Sequence, residues 1–159
     1  MSELKKALEG LNGWLLIVVV SVLFTPLRML YELPELYVNL FGSDHWTAMT
    51  TPGAGAYHAA WKPLIFTEVV LNCGMLVASF LLVYLFFSKK RGFPMLFIVL
   101  HVAGILFLLC EGMIIHLFMP AEPLFDASTR TDLVRALFMA VIWVPYMLMS
   151  ERVEQTFVE

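Results

Sequence analysis

The chain has 159 residues, 60% of them hydrophobic and 14% charged, with a formal net charge of −3 and a mean hydropathy of +0.83. Soluble domains run nearer about half apolar and about a quarter charged, so this composition excludes an ordinary water-soluble fold and a disordered chain. The acidic balance also leaves no basic surface for a phosphate backbone, and no nucleic-acid partner is expected. An integral membrane protein of one domain remains, with membrane lipids as its first partners.

A hydrocarbon core about 30 Å thick needs about 20 mostly apolar helical residues. Four stretches qualify in chain order: 13–30, 63–87, 93–118 and 132–149. The first holds Trp14, Pro26 and Arg28; the second has Glu68 as its one charge. The third is uncharged until Glu111, and the fourth is the shortest and carries Arg135 and Pro145. The expected fold is therefore all-α, a four-helix transmembrane bundle covering 1–159 as a single domain. Positive residues stay cytoplasmic. Lys5, Lys6, Lys89, Lys90, Arg91 and Arg152 share one side, against Lys62, Arg130 and the span-end Arg28 and Arg135 on the other. Both termini and the Ser88–Gly92 turn are expected inside, and the two longer loops outside. The stretch after Phe24 has no small-x-small cleavage site, so the first span reads as retained rather than as a signal peptide.

The outer Tyr31–Lys62 loop contains Glu35–Phe41, which predicts a short interfacial helix ended by Gly42, then a breaker at Thr51-Pro52-Gly53-Ala54-Gly55. It reads as a connector and anchor, with a lid over the bundle as the alternative. In the second outer loop, Thr129 with Asp132 resembles a helix-start capping pair. Cys73 and Cys110 belong to no Cys-x-x-Cys pair and read as small residues at helix contacts. Gly74-x-x-x-Ala78 and Ala136-x-x-x-Ala140 would let helices approach closely, within the chain or in a homodimer. Pro26 and Pro145 predict kinks.

Charges inside spans are costly and need a partner or a purpose. The expected topology puts Arg28, Glu68, Glu111 and Arg135 in one outer slab, two of each sign, with His116 one turn beyond Glu111. Glu68, Asn72 and Ser79 share a stripe of the second span, and His101, Gly104, Leu108 and Glu111 an arc of the third. A buried, self-neutralising ion-pair network is one expectation. Removing one partner from such a network costs about 3–5 kcal/mol. The other is an outward-facing pocket, formed by Arg28, Glu68, Asn72, His101, Glu111, His116 and Arg135, for a small zwitterionic or anionic ligand or a lipid headgroup. Arginines beside them weaken the case for proton coupling through Glu68 or Glu111. His101 lacks a second histidine at matching depth for haem, and His116 with Glu111 has no diagnostic metal spacing. No cofactor, no metal and no enzyme activity are expected.

Both ends of the chain carry a resemblance. Gly10-Leu11-Asn12-Gly13-Trp14-Leu15-Leu16 and Thr25-Pro26-Leu27-Arg28 stand near the start. Ile142-Trp143-Val144-Pro145-Tyr146, Ser150-Glu151-Arg152-Val153 and Thr156-Phe157-Val158 stand near the end. This resembles the domain of unknown function 2569 family, small bacterial inner-membrane proteins with four predicted spans, over essentially the whole chain. Asn12 departs from a usual glycine and Glu151 from a common basic residue. The resemblance implies the membrane architecture and lends interest to Arg28 and the Trp143–Tyr146 region; it implies no activity. The preferred reading is a non-enzymatic accessory or scaffold protein of the inner membrane with a structural charged cluster. Its Ser150–Glu159 tail would then be a surface for a membrane-protein partner. The alternative is a small-solute or headgroup-binding, transport-related protein using the cluster as a pocket.

Overall fold

A computed structural model describes residues 14–120 and 123–159; Lys5, Lys6 and the Gly10–Gly13 motif lie outside them. The order is α1 (Trp14–Phe41), α2 (Asp44–Thr50), α3 (Trp61–Phe87), α4 (Gly92–Phe118), α5 (Ala127–Met149) and α6 (Glu151–Thr156), with no strand among the described residues. Four of these, α1, α3, α4 and α5, are long and apolar enough to cross a membrane. The protein is a multi-pass, all-helical membrane protein. Its helices show many large apolar side chains on their outer faces, among them Val70 and Val77 on α3 and Val134 and Val141 on α5, as a lipid-facing surface requires.

The first span departs most from expectation. It was expected to stop near residue 30, with a separate short helix at Glu35–Phe41; instead α1 runs unbroken through Pro26 and Pro34 to Phe41. Leu30, Leu33, Tyr37 and Leu40 keep the helical spacing of apolar groups across the second proline. Arg28 Nε and Glu32 Oε2, one turn apart at 3.2 Å, tie the helix on its polar side. A proline removes one backbone bond, which a long helix with such support absorbs. The expected end is correct: the Gly42 N–H closes on the Val38 carbonyl at 3.0 Å. Ser43 then opens α2, its hydroxyl accepting from the Trp46 N–H at 3.1 Å. Gly53, at φ +92°, makes the turn that follows. The His58 N–H bonds back to the Met49 carbonyl at 3.3 Å, so the connector folds onto α2 rather than wandering.

Backbone packing groups the chain into two compact units, Val20–Leu81 and the remainder. In the second, the α3–α4 turn closes with Lys89 at φ +50° and is held by aromatic rings. Phe86, Phe93 and Phe97 are buried; Phe93 stacks on Phe157 at 4.4 Å between centroids and meets Phe86 edge-on at 4.9 Å. The segment bearing Phe157 is fastened to the same turn by its main chain. The Arg91 N–H donates to the Glu159 carbonyl at 2.8 Å, the Glu159 N–H donates to the Lys89 carbonyl at 3.2 Å, and Arg91 Nε donates to the Val158 carbonyl at 2.8 Å. Lys90 and Glu159 add an ion pair at 3.7 Å. The Ser150–Glu159 tail is thus not a loose arm: Val153, Thr156 and Phe157 are buried, while Glu151 and Glu154 face outward.

α4 and α5 pack side by side. Their connection crosses Gly112 so closely that an added Cβ would stand 2.6 Å from the Leu124 carbonyl oxygen and 2.5 Å from the Phe125 ring. Trp14 of α1 meets Trp143 of α5 edge-on at 6.2 Å. The start of α5 corrects the expected cap. The helix begins at Ala127, not near Asp132, because the Asp126 carboxylate accepts the Thr129 N–H at 2.6 Å. That hydrogen bond holds the Asp126 carboxyl below its ordinary value. Gly74 has open space beside it, so the expected close approach at Gly74-x-x-x-Ala78 is not used within the chain.

Candidate functional site

Glu68 and Asn72 sit one helical turn apart on α3, on the same face, about 10 Å and about 16 Å along the helix from Trp61. Tyr37, on the extension of α1, lies between them. Its phenol donates to Glu68 Oε1 at 3.2 Å and accepts from Asn72 Nδ2 at 2.8 Å. All three side chains are half-buried. Each satisfies another, as polar groups in an apolar helix pair must.

An aromatic cluster continues from Tyr37 along the same end of α1 and α3. Tyr37 and Phe41 stack at 6.0 Å, Phe41 and Phe66 also stack at 6.0 Å, and Trp46 of α2 meets Phe41 edge-on at 4.8 Å. Phe66 is about half-exposed, at 49%, and Phe41 is 37% exposed. The short α2 therefore serves to bring Trp46 over the ends of α1 and α3. Alongside, Glu32, Glu35 and Asn39 line a shallow, open depression on α1. Residues 20–81 carry four acids (Glu32, Glu35, Asp44, Glu68) against two bases (Arg28, Lys62), so this end of the molecule is electronegative.

The expected buried charge cluster is not there. Arg28 lies in the middle of α1, not at a span end, and pairs with Glu32 with its side chain 53% exposed. Arg135 pairs with Asp132 at 3.3 Å with its side chain 63% exposed. Each arginine takes the acid one turn away on its own helix, the partner that needs no second helix to be placed. Glu68, by contrast, makes its hydrogen bond to a neutral phenol and has no ion pair among the described residues. Of the residues singled out from sequence, Glu68 and Asn72 come together. Glu111 is half-buried on α4 and His116 is exposed further along it. His101 is half-buried, its Nδ1 2.9 Å from the Phe97 carbonyl and its ring stacked on Phe97 at 4.1 Å, which fastens it to its own helix. Among the described residues no three His, Cys, Asp or Glu side chains stand together as a metal site.

Tyr37 is the residue that sequence reading missed. Assigned to a short interfacial helix in the outer loop, it had no register with the first span. The signal was the leucine spacing through Pro34, which carries helical register from Leu30 to Phe41 and puts Tyr37 on a membrane helix.

One comparison with known proteins bears on this chain. A family model described as a protein of unknown function (DUF2569) matches residues 8–158. Neither the curated proteins nor the solved structures return a match.

Proposed function

The chain belongs to the DUF2569 family, whose description assigns no activity, and we propose from its own geometry that it is a non-enzymatic inner-membrane protein that binds a small polar solute or a lipid headgroup. The Tyr37–Glu68–Asn72 network at the ends of α1 and α3 is the binding site in this reading. The observation that carries it is Glu68: an ionisable side chain in a membrane helix, hydrogen-bonded but with no ion pair among the described residues. An intramembrane carboxylate without a counter-charge marks a functional position rather than a structural lock. The accessory-protein reading rested on arginines that lock the outer half by burial; with Arg28 and Arg135 paired locally, that support is gone. What remains of it is the non-enzymatic role and the outward face of α6, where Glu151 and Glu154 would meet a membrane-protein partner.

Both termini and the α3–α4 turn are cytoplasmic in this proposal, from the positive charges Lys89, Lys90, Arg91 and Arg152, so the Tyr37 site opens outward. Single cysteines in intact cells test the orientation. Position 45 should react with an impermeant maleimide and position 89 only after permeabilisation; the reverse pattern would invert the topology. Binding is tested by melting the purified protein against polar solutes and headgroup lipids. At least one should raise the midpoint of wild type and leave Tyr37→Phe unchanged.

A further inference from the structure

We propose that the Tyr37–Glu68–Asn72 site receives an ammonium group, the chemistry shared by an ethanolamine lipid headgroup and a free alkylamine. This rests on the reading of that site as a binding site and names its ligand class. Three independent features point the same way. First, Glu68 supplies a negative charge that nothing in the described chain neutralises. Its Oε1 is fixed by the Tyr37 phenol, which in turn is held by Asn72. The carboxylate is therefore oriented before a ligand arrives. Second, an aromatic cluster continues from Tyr37 by stacking, and its Phe66 and Phe41 are both partly exposed. Ring faces attract cations and repel anions, and Trp46 adds the strongest such face to the cluster. Third, residues 20–81 carry four acids against two bases, and their one arginine is already engaged by Glu32. An excess of acidic charge steers cations in. An anionic ligand would meet repulsion from all three.

A primary ammonium fits the donor count better than a quaternary one. Its three N–H groups match the acceptors at hand, the Glu68 carboxylate and the Tyr37 oxygen. The depth also suits a headgroup. Tyr37 is about one turn from the end of α1, and Glu68 about two turns into α3, the zone in which amphipathic rings and lipid headgroups meet.

The test uses the full chain, purified and presented with an equal mixture of phosphatidylethanolamine and phosphatidylglycerol, with retained lipid counted by native mass spectrometry. Free ethanolamine is titrated separately against the melting temperature. Wild type should retain phosphatidylethanolamine by about tenfold over phosphatidylglycerol, and Glu68→Gln should lose that preference, as expected for a charge-assisted hydrogen bond. Phe66→Leu, which leaves the carboxylate intact, should lower the preference about threefold through the lost ring face. It also keeps the proposal testable if Glu68→Gln fails to fold. Arg28→Ala should leave the preference unchanged. Stabilisation by ethanolamine without a lipid preference, again lost in Glu68→Gln, identifies a soluble amine as the source. Retention of phosphatidylglycerol that depends on Tyr37 and Glu68 overturns the ammonium class while leaving the binding site standing. If no lipid or amine distinguishes wild type from Glu68→Gln, both readings fall, and a proton on Glu68 is what neutralises it.

Discussion

Residues 82–159 are closed by an aromatic stack and a main-chain clasp, whereas the Tyr37 end of residues 20–81 is closed by three polar side chains and a partly open ring cluster. At the clasp buried rings and backbone dominate: Phe86, Phe93 and Phe157 fill the space, and Glu159 shares its peptide groups with Lys89 and Arg91, while the Arg91 side chain and a Lys90–Glu159 pair add to them. At the other end the bonds run through side chains that titrate or accept ligands, Glu68 above all. The difference teaches where rigidity and chemistry are kept apart. A junction closed mainly by buried rings and backbone bonds holds its shape through packing, while one built of half-exposed polar groups presents them to a ligand.

If that contrast is right, truncation should hurt most at the clasp. Phe93→Ala removes a fully buried ring and should cost about 3–5 kcal/mol in chemical unfolding in detergent; a cost under about 1 kcal/mol would mean the stack is not a core. Gly112→Ala comes next. Its methyl group has no room against the Leu124 carbonyl, and overpacking of this kind should cost about 1–3 kcal/mol, seen in the same assay. Tyr37→Phe keeps the ring and the stacking but leaves Asn72 and Glu68 without their shared partner. About 1 kcal/mol is expected, in line with interhelical hydrogen bonds in membranes. Should it match Phe93→Ala, the polar end would be as structural as the clasp and the comparison would fail. Arg28→Ala should be smaller again, within about 0.5 kcal/mol for an exposed pair one turn apart, whereas a buried network predicts several times that.

The smallest effect concerns pH. Asp126 caps α5 as a carboxylate, and the Thr129 N–H lowers its folded pKa below the ordinary value. The group therefore binds protons less readily folded than unfolded. Its contribution is complete above the unfolded value and is lost as pH falls through the lower folded one. The protection of the Thr129 amide, measured as exchange relative to its intrinsic rate at each pH, should fall on acidification in wild type, and Asp126→Asn, which caps without titrating, should flatten that dependence.

Spans α3 and α4 were legible to within a few residues, since continuous apolar runs bounded by Lys62 and the Ser88–Gly92 turn leave little choice. The start of α5 was misplaced because Thr129 with Asp132 matches a capping pair in sequence, and only geometry shows that the Asp126 carboxylate, three residues before Thr129, takes its N–H. The far half of α1 was misread because proline and charge there were given more weight than leucine spacing. The charged cluster failed for a related reason. Grouping residues by depth matches charges across helices, yet Arg28 with Glu32 and Asp132 with Arg135 were already at helical spacing in the sequence, and the near partner wins. Glu68 and Asn72 were found by their spacing; Tyr37 was not, because its role depends on a contact between residues 31 and 35 positions apart.

The length of α1 carries a consequence of its own. A helix of 28 residues spans about 42 Å against a hydrocarbon thickness of about 30 Å, so it overshoots the bilayer or tilts within it. Where the overshoot falls at the Phe41 end, Tyr37 stands on it and Glu68 is bonded to it. Bilayer thickness then sets how deeply the carboxylate is immersed: thin membranes lift it toward water, and thick ones draw it into the acyl layer. Chain length and sterol-like thickening would thus tune the site without touching any residue in it.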